Sequence, residues 1–186
     1  GYIYERDGYL RVQGALLARY LFDRAGGDAM DDEGTPLPGP GMDWLHEWFN
    51  APELGQENML LRAPDFEDFE ALTRAFYATL LLDGRTLPGS EELLNNDPLL
   101  SYLPVTVDPV TERIRGMSMN LSFGPIVISG PELTPLEYAS GVMRGGGVEY
   151  LIIDVPDDQA AVSIRIQSAA IDELRAASVC LRDAQP

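Results

Sequence analysis

Between Asp65 and Gly84, the residues Phe66, Phe69, Leu72, Thr73, Phe76, Tyr77 and Leu80 recur at steps of three and four. Only an α-helix gathers such positions on one side, where they can be buried as a stripe. The ends agree with the period. Asp65 stands where an N-cap belongs, Glu67, Asp68 and Glu70 fall in the first turns, and Gly84 offers a left-handed stop. The spacing predicts a continuous helix over 65–82 with Phe69, Leu72 and Phe76 buried. A chain of 186 residues with 45% apolar content can close a core around such a helix within one domain.

Other signals are more local. Tyr2-Ile3-Tyr4 and Tyr9–Val12 flank Asp7-Gly8, a favoured turn pair, and read as a hairpin. Gly14–Arg24 reads as a helix closed by Gly26-Gly27. The acidic Pro/Gly stretch 28–41 reads as a surface loop. Asp43 is placed to cap a short helix through Phe49, Met59–Arg62 reads as a brief strand, and Ser90-Glu91-Glu92 opens a short helical piece.

From Tyr102 the pattern turns to strands. Val105–Val107 with Glu112–Arg115, alternating Met117–Phe123, and Ile126–Ser129 all read as extended, and so does a last hairpin of Val148–Val155 with Ala161–Ile166. Thr134-Pro135-Leu136-Glu137 carries a capping-box helix start, and Ser168 caps a final helix. The expected fold is therefore α+β. A helix-rich part over about 1–101 precedes a sheet-rich part over about 102–186, an antiparallel sheet with helices packed on it, in one compact domain. Ile126–Ile128, Leu151–Ile153 and Val162–Ile166 are expected in that one sheet.

Charge bounds the function. Thirty acidic residues face thirteen basic ones, all Arg, for a net charge of −17. No lysine is available for Schiff-base chemistry or a phosphate-binding loop. So acidic a chain is a poor match for a nucleic-acid backbone or an anionic membrane surface. The acid is also concentrated. Residues 28–70 hold twelve carboxylates against Arg62 alone, a balance of −11, while the remaining residues supply −6. Such a run is often just a solvated face; the sharper reading is a surface that steers a basic partner.

Catalytic motifs fail one by one. His46 is the only histidine, and the position one turn on, where a metalloprotease helix needs its second His, is Asn50. Metal ligation would have to join His46 to Asp43 and Glu47; an exposed helical His between two Trp is the simpler reading. No Gly-x-Ser-x-Gly elbow occurs. Gly145-Gly146-Gly147 follows a helix instead of preceding one, the wrong order for a phosphate loop. Registering Gly34 with the EF-hand glycine puts Ala29 and Pro40 at the end ligand positions. Cys180 is alone, so no internal disulfide forms, which favours a reducing compartment while leaving a processed periplasmic protein compatible.

In composition the chain resembles small bacterial toxin-neutralising (immunity) proteins and acidic secretion chaperones, and the resemblance carries no residue across. The expectation is a non-enzymatic, acidic binding or inhibitory module of the immunity type, without cofactor or metal, that engages a basic protein partner. An acidic secretion chaperone or accessory protein and a small carboxylate- or metal-dependent enzyme are the alternatives. The expected binding residues are Asp28, Asp31, Asp32, Glu33, Asp43, Trp44, Glu47, Trp48 and Phe49, the aromatics serving as apolar anchors.

Overall fold

A computed structural model describes residues 2–31, 33, 35–86, 91–107, 114–123, 126–131, 133–135, 148 and 150–152. The chain divides into two compact units, Gly1–Gly130 and Pro131–Pro186.

The described residues of the first unit form four α-helices: α1 (Tyr2–Arg24), α2 (Pro40–Phe49), α3 (Gly55–Leu61) and α4 (Phe69–Leu82). The described residues are thus mostly helical, and the expected α+β architecture is corrected. No multistranded antiparallel sheet occurs among them. Extended backbone is confined to separate two-stranded ladders of two or three residues per strand. Thr106–Val107 pairs with Ile114–Arg115, and Leu121–Phe123 with Ile126–Ile128, both antiparallel. These are local hairpins at the expected places, but they do not join into a sheet that helices could cover. In the second unit Leu151–Ile152 pairs in parallel with Thr134–Pro135, so Thr134-Pro135 is extended where a helix start was expected. Ile126–Ile128 and Leu151–Ile152 belong to different ladders. The rest of the 134–144 helix, the strand Val162–Ile166, the final helix and Cys180 lie outside the described residues.

Helix α1 replaces the expected N-terminal hairpin. Asp-Gly favours a turn only locally, and a glycine inside a helix costs about 1 kcal/mol relative to alanine, which neighbouring helix formers can offset. Helix α1 therefore runs through Gly8 and Gly14 and ends at Gly26 and Gly27, whose φ values of 108° and 59° are left-handed. Past them, within the stretch expected as a surface loop, Ala29–Met30 pairs antiparallel with Pro36–Leu37.

Pro40 then opens α2 at its first positions, with Gly39 as N-cap, so Asp43 lies in the first turn and is not the cap. Gly41 donates its N–H to the Gly27 carbonyl at 2.9 Å, and a Cβ there would stand about 2.7–2.8 Å from the Phe22 ring and the Gly27 Cα. Only glycine allows α1 and α2 to approach this closely. Met59–Leu61, expected as strand, completes α3 instead. A three-residue apolar run cannot distinguish strand from helix by period, and Gln56, Glu57 and Asn58 ahead of it favour or tolerate the helix.

Helix α4 forms on the expected stripe, with Leu72 and Phe76 buried and Phe69 half-buried. It starts at Phe69, later than expected, because the cap is Asp68: its Oδ1 accepts the Ala71 N–H at 2.7 Å. Asp65 is drawn off to Arg24, 3.0 Å away. Tyr20 sits at the centre of the core, fully buried, its ring 6.0–6.3 Å from those of Phe66, Phe76 and Tyr102. Glu91 and Glu92 form bends beside a Thr86–Leu93 bridge, not a helix.

Candidate functional site

Two buried aspartates close the ends of the long helices. Asp23, in the last turn of α1, forms an ion pair with Arg19, Nε to Oδ1 2.8 Å, and accepts the Leu103 N–H at 3.0 Å on Oδ2. Burial lifts its carboxyl above the ordinary range, against the opposing pull of Arg19 and the Leu103 N–H. Asp83, which caps α4, accepts the Tyr102 N–H at 3.0 Å on Oδ1 and the Met119 N–H at 2.7 Å on Oδ2. Its own carbonyl accepts Asn120 Nδ2 at 2.8 Å. A carboxylate at a helix C-terminus runs against the dipole, so these backbone donors hold the charge in place. Asp23 ties Leu103, and Asp83 ties Tyr102 and Met119, to the helix ends.

The acids expected to bind a partner are divided by the fold. Asp31 shapes the hairpin tip, because its Oδ1 accepts the N–H groups of Glu33 and Thr35 at 3.0 and 2.7 Å. Asp28 and Glu33 are exposed, and Asp32 lies outside the described residues. Asp43 and Glu47 stand one turn apart on the exposed side of α2, with His46 exposed between them. Asp43, Glu47, Glu57 and Glu67 enter no ion pair or hydrogen bond through their side chains among the described residues. Arg62, the only cation of the 28–70 segment, turns inward to Asn58 Oδ1 at 2.6 Å and lies 3.8 Å from Glu53.

The three expected aromatic anchors also separate. Trp44 is a core residue, 6% exposed, and its Nε1–H donates to the Arg62 carbonyl at 3.0 Å. Trp48 is half-buried, its ring 4.8 Å from Trp44, and Phe49 stacks on Trp48 at 5.8 Å and 24°. Phe49 itself is 79% exposed. Leu54 and Leu61, at the two ends of α3, are 83% and 61% exposed. Sequence reasoning passes over Leu54 and places Leu61 in a strand, so it finds neither; Leu54 is the extended N-cap of α3, not a helical residue, and no helical period links the two. Asn58 ties α3 to α2, its Nδ2 donating to the Trp48 carbonyl at 3.0 Å.

A cavity of about 210 Å³ lies between the end of α1 and residues 62–66, bordered by Arg24, Arg62, Asp65 and Phe66. Its charged groups are partly engaged: Arg24 donates to the Pro98 carbonyl at 2.8 Å and to Asp65 at 3.0 Å, and Arg62 to Asn58, while the Nε of both arginines is buried without a hydrogen-bond partner among the described residues. Among the described residues no group of three His, Cys, Asp or Glu side chains is placed to hold a metal ion, and no helix is long and apolar enough to cross a membrane.

The chain matches no protein-family model, and comparison with curated proteins and with solved structures finds no similar chain.

Proposed function

We propose that this chain is a non-enzymatic, acidic binding module that engages a basic protein partner through the 28–70 segment, as immunity-type inhibitors do. One observation carries the reading. Arg62, the single cation of the segment, is consumed internally by Asn58 and Glu53, while the exposed Asp43, Glu47, Glu57 and Glu67 have no counter-ion among the described residues. Among the described residues the field of those carboxylates is therefore uncompensated, the condition under which charge steers association. Asp43 and Glu47 also repel each other at the i,i+4 spacing, a cost of about 0.2–0.5 kcal/mol to α2.

The test is association kinetics with the product of the adjacent gene, at two salt concentrations, for wild type and for Asp43→Asn/Glu47→Gln/Glu57→Gln. These exposed positions make better substitutions than Asp31, whose carboxylate shapes its own turn. The expected outcome is an association rate that falls steeply with salt in wild type and starts lower, with a shallower salt dependence, in the variant. Equal rates in all four conditions would sink the proposal.

A further inference from the structure

Exposed large apolar side chains are ordinary when single and informative when grouped. Phe49, Leu54 and Leu61 are the three most exposed large apolar residues described, and they fall within thirteen residues at the α2–α3 corner. We infer that this corner is the docking point for a basic amphipathic helix of the partner, whose apolar stripe covers these three side chains while its flanking Lys or Arg meet Asp43, Glu47 and Glu57. The inference rests on the function proposed above and names the chemistry of its partner.

Phe49 is presented on a stiff support. It stacks on Trp48, Trp48 contacts Trp44, and Trp44 is pinned by its Nε1–H to the Arg62 carbonyl. An aromatic held in place before binding loses little freedom on contact, a property of residues that dominate interface energies. Leu54, the extended N-cap of α3, and Leu61, its last residue, bracket that helix, which Asn58 fastens to α2 through the Trp48 carbonyl. The corner thus presents three exposed apolar side chains on two joined helices, anchors of the kind an apolar stripe of a helical partner covers.

Charge selects among the possible occupants. A second copy of this chain would set one acidic rim against another, at −17 per copy. Anionic lipid headgroups would be repelled in the same way. A helix that carries cations beside its apolar stripe satisfies both the uncovered side chains and the uncompensated carboxylates.

Two synthetic peptides of equal length and charge test the inference on the full chain: a Lys/Leu amphipathic helix, and the same sequence with Ser for each Leu. Titration calorimetry should show the Leu peptide binding wild type at least about tenfold more tightly, as burial of apolar anchors implies. That preference should vanish in Phe49→Ser/Leu54→Ser/Leu61→Ser, provided circular dichroism and melting match wild type; the single Phe49→Ser, which should lower the preference, serves if the triple variant does not fold. Asp43→Asn/Glu47→Gln/Glu57→Gln should weaken both peptides alike. Equal affinity of wild type for the two peptides overturns this inference and leaves the acidic-module reading standing. Absence of binding by either peptide overturns both. A wild-type dimer in sedimentation that the apolar variant abolishes overturns the inference in favour of self-association.

Discussion

Replacing Asp83 by alanine should destabilise the first unit by about 3 kcal/mol. The figure follows from what its carboxylate holds. Asp83 is 5% exposed, and its two oxygens accept the N–H groups of Tyr102 and Met119. Alanine leaves both donors without a partner. An orphaned buried donor costs about 1–3 kcal/mol. Tyr102 is fully enclosed and belongs near the middle of that range, about 2 kcal/mol, while the Met119 N–H is partly accessible and belongs near its lower end, about 1 kcal/mol. The Asn120 bond to the Asp83 carbonyl does not depend on the side chain and should survive. Asp83→Asn keeps one acceptor and turns an amide donor toward the other N–H, so it should fall between wild type and alanine. Urea unfolding followed by the fluorescence of Trp44 and Trp48 gives the difference, and amide exchange at Tyr102 and Met119 should accelerate in step. At this size 1 kcal/mol corresponds to roughly 3–5 °C in Tm, so a drop of about 10 °C is expected. A loss under about 0.5 kcal/mol, the scale of an ordinary surface substitution, would refute the assignment of Asp83 as the anchor of the 102–120 segment.

Trp44→Ala should destabilise by about 3–5 kcal/mol, as for a large aromatic removed from a core, whereas Phe49→Ala should stay within about 0.5 kcal/mol; denaturant midpoints compare them directly. Burial pushes the Tyr20 phenol up to about 12 and raises that of Tyr102 further. Because the unfolded phenol ionises near pH 10, their contribution is complete below pH 10 and is lost as pH rises toward and through the Tyr20 value near 12, which phenolate absorbance and circular dichroism should record as coincident transitions. Tyr20→Phe should flatten that alkaline loss, at the expense of about 1 kcal/mol at neutral pH for the missing hydrogen bond to the Leu99 carbonyl.

Helix α4 is legible in the sequence because period, cap chemistry and stop signal agree over one continuous stretch. Its first residue is not, since Asp65 and Asp68 are equally good caps locally and the choice depends on Arg24, distant by 41 positions. The short antiparallel pairs Thr106–Val107 with Ile114–Arg115 and Leu121–Phe123 with Ile126–Ile128 fall within the stretches read as extended, because alternation is a local signal, but it does not show that the last two pair with each other. A sheet requires strands far apart in sequence to meet, and nothing in the alternation says that they do. The hairpin expected over Tyr2–Val12 shows the converse error, a strong turn pair overruled by a helix that absorbs its glycine. At the candidate site, helical phase carries the distinction that composition misses. Trp44 and Trp48 share a side of α2, and Phe49 lies one further step of 100° around it, which separates a core tryptophan from an exposed phenylalanine. Asp83 carries a signal as well, since an acid directly after Leu80-Leu81-Leu82 opposes the helix dipole and so implies donors from elsewhere.

Two physical kinds of carboxylate stand out among the described residues. Asp23, Asp31, Asp68 and Asp83 accept backbone N–H groups at 2.7–3.0 Å, and Asp65 pairs with Arg24. Short, charge-assisted bonds to fixed donors are little screened by salt, and in the buried cases hardly at all. Asp43, Glu47, Glu57 and Glu67 are exposed and bonded to nothing described, so salt reaches them within a Debye length of about 8 Å. A fold that needed acidity only for solubility could scatter such groups anywhere on its surface. Here Asp43, Glu47 and Glu57 fall on α2 and α3, the helices that also expose Phe49, Leu54 and Leu61. Uncovered apolar surface lowers solubility, and carboxylates on the same helices offset that while the surface is bare. On the function proposed, the same carboxylates would repel a second copy and attract a cationic chain, so that one set of charges would keep the apolar corner open and select what covers it.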